Sequence, residues 1–160
     1  MTKQIVSSEW LNSHLGDKNL IILDASQTIT EENVQIKGAR YFDIKSAFSD
    51  TTSKFPNTFP SVKQVETGCS ELGITNESKI VVYDNKGIYF SPRVWWMFKT
   101  MGHHNVAVLD GGLPNWISEG YETTIGYNTE VTFGNFKAEV NINKVKRYDF
   151  MKANVNSQNC

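Results

Sequence analysis

Lys79-Ile80-Val81-Val82-Tyr83-Asp84-Asn85-Lys86-Gly87-Ile88-Tyr89-Phe90-Ser91-Pro92-Arg93-Val94-Trp95-Trp96-Met97-Phe98 is the stretch whose reading decides the fold. Ile80 to Tyr83 is a short apolar run with no turn former, the pattern of a strand covered on both faces. A polar loop containing Gly87 follows. Ser91-Pro92 then opens a second apolar run, and proline is well suited to the first helical position. A strand, a tight loop and a helix start aim backbone N–H groups into the loop, which favours an anion there. A cysteine at the head of such a loop would have a stabilised, reactive thiolate. This chain carries Asp84 in that place.

Outward from this stretch, strands and helices alternate. Ile5-Val6 is extended, and Ser7-Ser8 caps a helix running to about Leu15 and closed by Gly16. Leu20 to Leu23 is a second continuous apolar run, and Gly38 to Phe42 a further extended candidate. After a polar loop from Asp50 to Pro60, Ser61 and Gln64 form the pattern of a capping box. They open a helix that carries Cys69 and ends at Gly73. The helix from Ser91 stops at Met101-Gly102, Val106 to Leu109 is another buried strand, and Asp110-Gly111-Gly112 turns it. A short helix starts at Pro114 and ends at Gly120. This alternation predicts an α/β fold with a parallel sheet covered by helices on both faces. Residues 126–139 are polar and extended, after which Ile142, Val145, Tyr148, Met151 and Val155 fall at helical spacing. No internal repeat or low-complexity segment interrupts the pattern.

Of 160 residues 39% are apolar, enough for one domain with a core. A formal net charge of −1 supplies no basic field to gather nucleic acid. The cluster Lys144-Val145-Lys146-Arg147, with Lys152, reads as a solvated helix face rather than a phosphate patch. No run approaches the roughly 20 apolar residues of a membrane span. Residues 1–8 lack a hydrophobic signal core, so the expected location is the cytoplasm. Cys69 and Cys160 have neither framework nor metal-ligand spacing. Cys69 shares a helical stripe with Val62, Val65 and Leu72 and reads as a buried thiol, Cys160 as exposed. His103-His104 follows Gly102 and reads as a helix end, since adjacent histidines point apart. Trp95, Trp96 and Trp116 read as core and interface aromatics rather than a cofactor box, and no cofactor is expected.

Asp24, Asp84 and Asp110 each lie at, or within one residue of, the carboxyl end of a predicted strand, the edge where ligands bind in open α/β sheets. Two readings follow. Converging carboxylates could hold Mg²⁺, with Asp84 accepting a phosphoryl group, as in a phosphoryl-transfer or receiver-like domain. Alternatively, each aspartate caps a turn or helix. Lys86 and Arg93 could bind an anion near Asp84, or be solvated surface charges.

Several segments in order carry a resemblance: Leu23-Asp24-Ala25-Ser26, Gly38-Ala39-Arg40-Tyr41-Phe42-Asp43-Ile44, Leu72-Gly73-Ile74 and Val81-Val82-Tyr83-Asp84. Ser91-Pro92-Arg93-Val94-Trp95-Trp96-Met97-Phe98 and Val108-Leu109-Asp110-Gly111-Gly112-Leu113-Pro114-Asn115-Trp116 complete it. Over roughly residues 5 to 124 the chain resembles the N-terminal half of the two-domain rhodanese-type thiosulfate and 3-mercaptopyruvate sulfurtransferases. The resemblance implies a rhodanese-like sheet of roughly five parallel strands. It implies a reaction in which a loop cysteine takes sulfane sulfur as a persulfide and passes it to a thiophilic acceptor. In two-domain members that cysteine lies in the C-terminal half, and the N-terminal half has aspartate on the equivalent loop.

This chain would then have no catalytic residue of its own. Asp84, Asn85, Lys86, Gly87, Ile88 and Tyr89 would form a vestigial site, where the carboxylate repels an anionic donor. Residues 1–125 would be an inactive-type rhodanese domain, 126–140 a linker, and 141–160 the truncated start of a second domain. The implied partners are the C-terminal rhodanese domain of the same protein and a small-molecule sulfur donor at the interface, walled by the Asp50–Pro60 and Asp84–Tyr89 loops. Family members commonly read His-Ile-Pro-Gly-Ala where this chain has Gln35-Ile36-Lys37-Gly38-Ala39. An acidic residue and a histidine assigned to support the partner's cysteine in mercaptopyruvate-type members fall on Lys45 and Asn57. Asn57 cannot act as a base at neutral pH, which weakens the mercaptopyruvate reading. Lys45, Asn57 and Arg93 are the candidate interface residues. A stand-alone module that uses an inactive fold to hold a partner is the other alternative.

Overall fold

Apolar runs with no polar alternation need cover on both faces, and the computed structural model shows how they obtain it. It describes residues 3–27, 34–155 and 157; Cys160 lies outside them. In chain order the elements are β1 (Ile5–Val6), α1 (Ser8–His14), β2 (Leu20–Asp24), β3 (Val34–Ile36) and β4 (Arg40–Tyr41). They continue with α2 (Val62–Glu71), β5 (Lys79–Tyr83), α3 (Ser91–Thr100), β6 (Val106–Leu109), α4 (Gly112–Ser118), β7 (Thr123–Ile125) and α5 (Tyr148–Val155). Five strands form a parallel sheet in the order β1-β6-β5-β2-β4. Leu20 to Asp24 pair in register with Lys79 to Tyr83 at its centre.

Alternate side chains of one strand feed two separate cores, which is why the runs are continuous. Ile21, Leu23, Ile80, Val82, Val106 and Val108 pack with Val65 and Cys69 of α2 and with Val94, Met97 and Phe98 of α3. Ile22, Val81, Tyr83, Ala107 and Leu109 pack on the opposite face with Leu11 of α1 and with Leu113 and Trp116 of α4. Cys69 is fully buried and free, as the helical stripe predicts. The histidines do point apart: His103 is buried between Phe98 and Phe136, and His104 is exposed.

Local predictions hold with shifts at the ends. Ser7 caps α1 by accepting from the Trp10 N–H. Ser61 caps α2 through the Gln64 N–H at 3.2 Å, but the Gln64 side chain does not close the capping box. Its amide instead donates to the Ser46 and Ser49 carbonyls at 3.3 and 2.8 Å and ties down the preceding loop. α3 begins at Ser91, so Pro92 is its second residue. α4 begins at Gly112 rather than Pro114, because Gly111 turns the chain at φ 66°. The extended candidate from Gly38 to Phe42 shortens to Arg40–Tyr41.

Two features are new. β3 and β7 pair as an antiparallel ribbon, Val34 opposite Ile125. Residues 131–141, which carry no regular element, lie as a strap along α2 and α3. Gly134, Glu139 and Asn141 donate backbone N–H groups to the Ser70, Met101 and Thr100 carbonyls at 2.7, 2.9 and 2.9 Å. Asn76 and the Lys137 backbone exchange hydrogen bonds, and Phe136 is buried. Beyond it, Ile142–Lys144 form a 3₁₀ turn before α5, which buries none of its residues. The basic cluster therefore corrects the sequence reading: Lys146 and Arg147 stand on the link between turn and helix, not on a helix face.

Candidate functional site

The strand–loop–helix stretch builds a site around one carboxylate. Asp84 leaves the carboxyl end of β5 and is fully buried. Its Oδ1 accepts the Lys86 N–H at 2.9 Å. Its Oδ2 accepts the N–H groups of Tyr89, Phe90 and Ser91 at 3.0, 2.9 and 2.9 Å, and the Ser91 hydroxyl at 2.8 Å. Phe90 is the N-cap of α3 and Ser91 its first residue, and N–H groups at a helix start have no partner inside the helix. The loop thus forms the amide cradle that the sequence predicts, and Asp84 is the anion inside it. Both oxygens are used, so the group is held by charge-assisted hydrogen bonds rather than left poised to attack.

The turn after β6 holds this loop from behind. The Leu113 N–H donates to the Asp84 carbonyl at 3.0 Å. A Cβ on Gly112 would lie 2.3 Å from the Gly87 carbonyl oxygen and 2.5 Å from that of Asp84, so only glycine permits the approach. On the other side the Asn85 N–H donates to Ser26 Oγ at 2.9 Å. Asp110-Gly111-Gly112 therefore serves the loop through its glycines, and Asp110 itself is exposed.

The three-carboxylate metal reading is overturned. Asp24 is buried, but the backbone and hydroxyl of Ser26 and the Tyr127 hydroxyl already donate to it. Burial first, and then the Asp24 charge, push the Tyr83 and Tyr127 phenols far above their ordinary range. Asp84 is filled by amides and Asp110 faces solvent. No group of three His, Cys, Asp or Glu side chains able to hold a metal exists among the described residues. Asp24 and Asp84 are structural anchors at two strand ends, and Asp110 stands apart in solvent.

The candidate nucleophiles and interface residues sort as follows. Burial raises the Cys69 thiol far above its ordinary value, and its side chain belongs to the core under α2. Arg93 and Asn57 are brought together: Arg93 Nη2 donates to the Asn57 carbonyl at 2.8 Å and to Ser49 Oγ at 3.2 Å. Lys45 is exposed on a turn organised by Asp43, and joins neither that contact nor the cradle. Lys86 is also exposed, its ammonium 5.8 Å from the Tyr89 ring. The sequence reading missed Ser26 and Ser91 as partners of the two buried carboxylates. Ser26 two residues after Asp24 was the available signal, since short polar side chains there form local turns; nothing marked Ser91 beyond its helix-start position.

A family model described as the rhodanese-like domain matches residues 7–119. Thiosulfate/3-mercaptopyruvate sulfurtransferase 1, mitochondrial, of Arabidopsis thaliana is 41% identical over 130 residues, 76% of this chain and 34% of the relative. The human 3-mercaptopyruvate sulfurtransferase is 31% identical over 99% of this chain and 58% of its own length. The crystal structure of the Escherichia coli 3-mercaptopyruvate sulfotransferase SseA superposes with a TM-score of 0.85 at 31% identity, covering 97% of this chain and 63% of that one. The chain spans less than two thirds of the length of each. No helix among the described residues is long and apolar enough to cross a membrane.

Proposed function

This chain belongs to the rhodanese-like domain family, and we propose that it is the noncatalytic N-terminal half of a thiosulfate/3-mercaptopyruvate-type sulfurtransferase. One observation carries the reading: the loop position suited to a nucleophile holds Asp84, with both oxygens committed to the cradle's own donors. A carboxylate is a poor nucleophile toward sulfane sulfur, and its charge opposes an incoming anionic donor. The loop keeps the shape of a reaction site while the reaction is impossible there.

In the proposed whole protein, the C-terminal rhodanese domain supplies the cysteine. Its thiolate attacks the sulfane sulfur of the donor, the donor's bond to that sulfur breaks with both electrons leaving on the donor residue, and a persulfide forms. A thiophilic acceptor then removes the sulfur and restores the thiolate. This chain's domain of residues 1–125 walls the cleft through Asn57, Arg93 and Lys45. Residues 126–140 link it to the partner domain, whose first helix begins within 141–160. We place this work in the cytoplasm, a reducing compartment compatible with the free thiol of Cys69.

The assay is thiocyanate formation from thiosulfate and cyanide. The chain alone gives no turnover above background. Turnover that persists in a Cys69→Ser, Cys160→Ser double variant would sink the proposal, because no cysteine nucleophile would remain.

A further inference from the structure

α3 borders a second region, and none of the Asp84 cradle residues lines it. A cavity of about 580 Å³ lies between the loop of residues 53–62, α3, the strap and the link before α5. Phe59, Trp96, Met101 and Val140 supply its apolar surface, with Phe59 and Trp96 meeting edge-on at 5.0 Å. Phe55 and Tyr148 pack across its mouth at 4.7 Å. Four cations line the cavity, Lys54, Arg93, Lys146 and Arg147, against one carboxylate, Asp149. Among the described residues no carboxylate lies within 4.0 Å of any of the four.

Arg93 is the anchor of this arrangement. Its guanidinium is half-buried and fixed by two neutral acceptors, Ser49 Oγ and the Asn57 carbonyl. Burial lowers its pKa, and among the described residues no carboxylate lies within 4.0 Å of it. A desolvated cation with no acid beside it is unfavourable unless an anion arrives. The cavity is far larger than a bare inorganic anion, since a water occupies only about 30 Å³, and falls within the range of about 300–1,000 Å³ typical of small-molecule sites.

We infer that this groove binds an amphipathic organic anion, with its acidic head on Arg93, Lys146 and Arg147 and its apolar body on Phe59 and Trp96. The groove shares Asn57 and Arg93 with the proposed wall of the sulfurtransferase cleft, but the inference needs no cysteine. It is tested on this chain alone, so binding and sulfur transfer fail separately.

The probe is 8-anilinonaphthalene-1-sulfonate, titrated into the folded chain while its emission and the tryptophan emission are followed. Saturable binding is expected, displaced by decanoate and not by decyltrimethylammonium. Arg93→Gln weakens it about tenfold, the loss of one charge-assisted contact. Because Arg93 also holds the loop, the exposed pair is changed separately. Lys146→Glu with Arg147→Glu weakens binding by at least as much, while the far-ultraviolet circular dichroism is unchanged. Affinity that is the same in both variants, or displacement by the cationic amphiphile as effective as by decanoate, overturns the inference.

Discussion

The two regions bordering α3 have opposite electrostatic arrangements. At its N-terminus one buried carboxylate meets five described donors and no ion-pair partner. Beside it, four cations face a cavity with a single carboxylate in its lining. The first region contains its own anion and is closed; the second is open and has an excess of positive charge, with Asp149 in its lining and Asp50 in the field of Arg147 as the counter-charges. The same fold can therefore close a reaction loop and leave a binding surface, according to whether the anion comes from the chain or from outside.

The comparison is broken most severely at Asp84. Asp84→Ala leaves several buried donors unsatisfied and is expected to cost at least about 3 kcal/mol, read as a lower urea midpoint. Asp84→Cys restores an anion when the thiol ionises. Its thiol should alkylate with iodoacetamide at pH 7 faster than an unperturbed cysteine, and an ordinary rate would count against a working cradle. Next in size is Gly112→Ala, which forces a Cβ onto the Asp84 and Gly87 carbonyls at a positive φ. About 2–3 kcal/mol of stability should be lost.

A smaller effect concerns the strap that walls the groove. His103 is buried against Phe136 of the strap, with ring centroids 5.8 Å apart, and its Nε2 has no hydrogen-bond partner among the described residues. Burial lowers its pKa, outweighing hydrogen bonds to the backbone of Ser78 and Asn105, and the nearby charges of His104 and Lys99 act in the same direction as burial. The unfolded chain then takes up the proton more readily than the native one. Stability is complete above the ordinary histidine value of about 6.5 and falls as pH drops below it, by at most about 1.4 kcal/mol per pH unit. Urea midpoints at pH 7.5 and 5.5 should differ less in His103→Leu than in the unmodified chain; an equal difference would remove His103 from the account. The smallest effect belongs to Lys45→Ala, which touches neither region and should change stability by no more than about 0.5 kcal/mol.

The central strands were legible because their apolar runs are unbroken, and Ile80–Tyr83 could hardly be anything else. β3 and β7 were not. Each has three residues, Gln35 and the two threonines blur the pattern, and each is held by a partner far away in the chain. The strap was equally hidden, since its hydrogen bonds come from backbone that looks like any polar loop, and only Gly134 and Phe136 mark the contact. Gln64 carried a correct local signal whose side chain tertiary contacts then redirected to Ser46 and Ser49. Arg93 and Asn57 were named as interface candidates, but the groove they border needed Val140 and Lys146 from the far end of the chain.

Sequence alone determined the parallel α/β architecture and the identity of the group at the head of the loop, because hydrophobic periodicity and a single residue type are local properties. Whether that carboxylate would bind a metal, repel a ligand or fill its own cradle depended on which donors converge on it. Folding brought the first turn of α3 and the Gly111-Gly112 turn against one loop, and placed the four cations around a shared cavity. Those outcomes belong to the tertiary structure, because the strength of a charge's interactions is set by its distance from other groups and its access to water, neither of which chain position reveals.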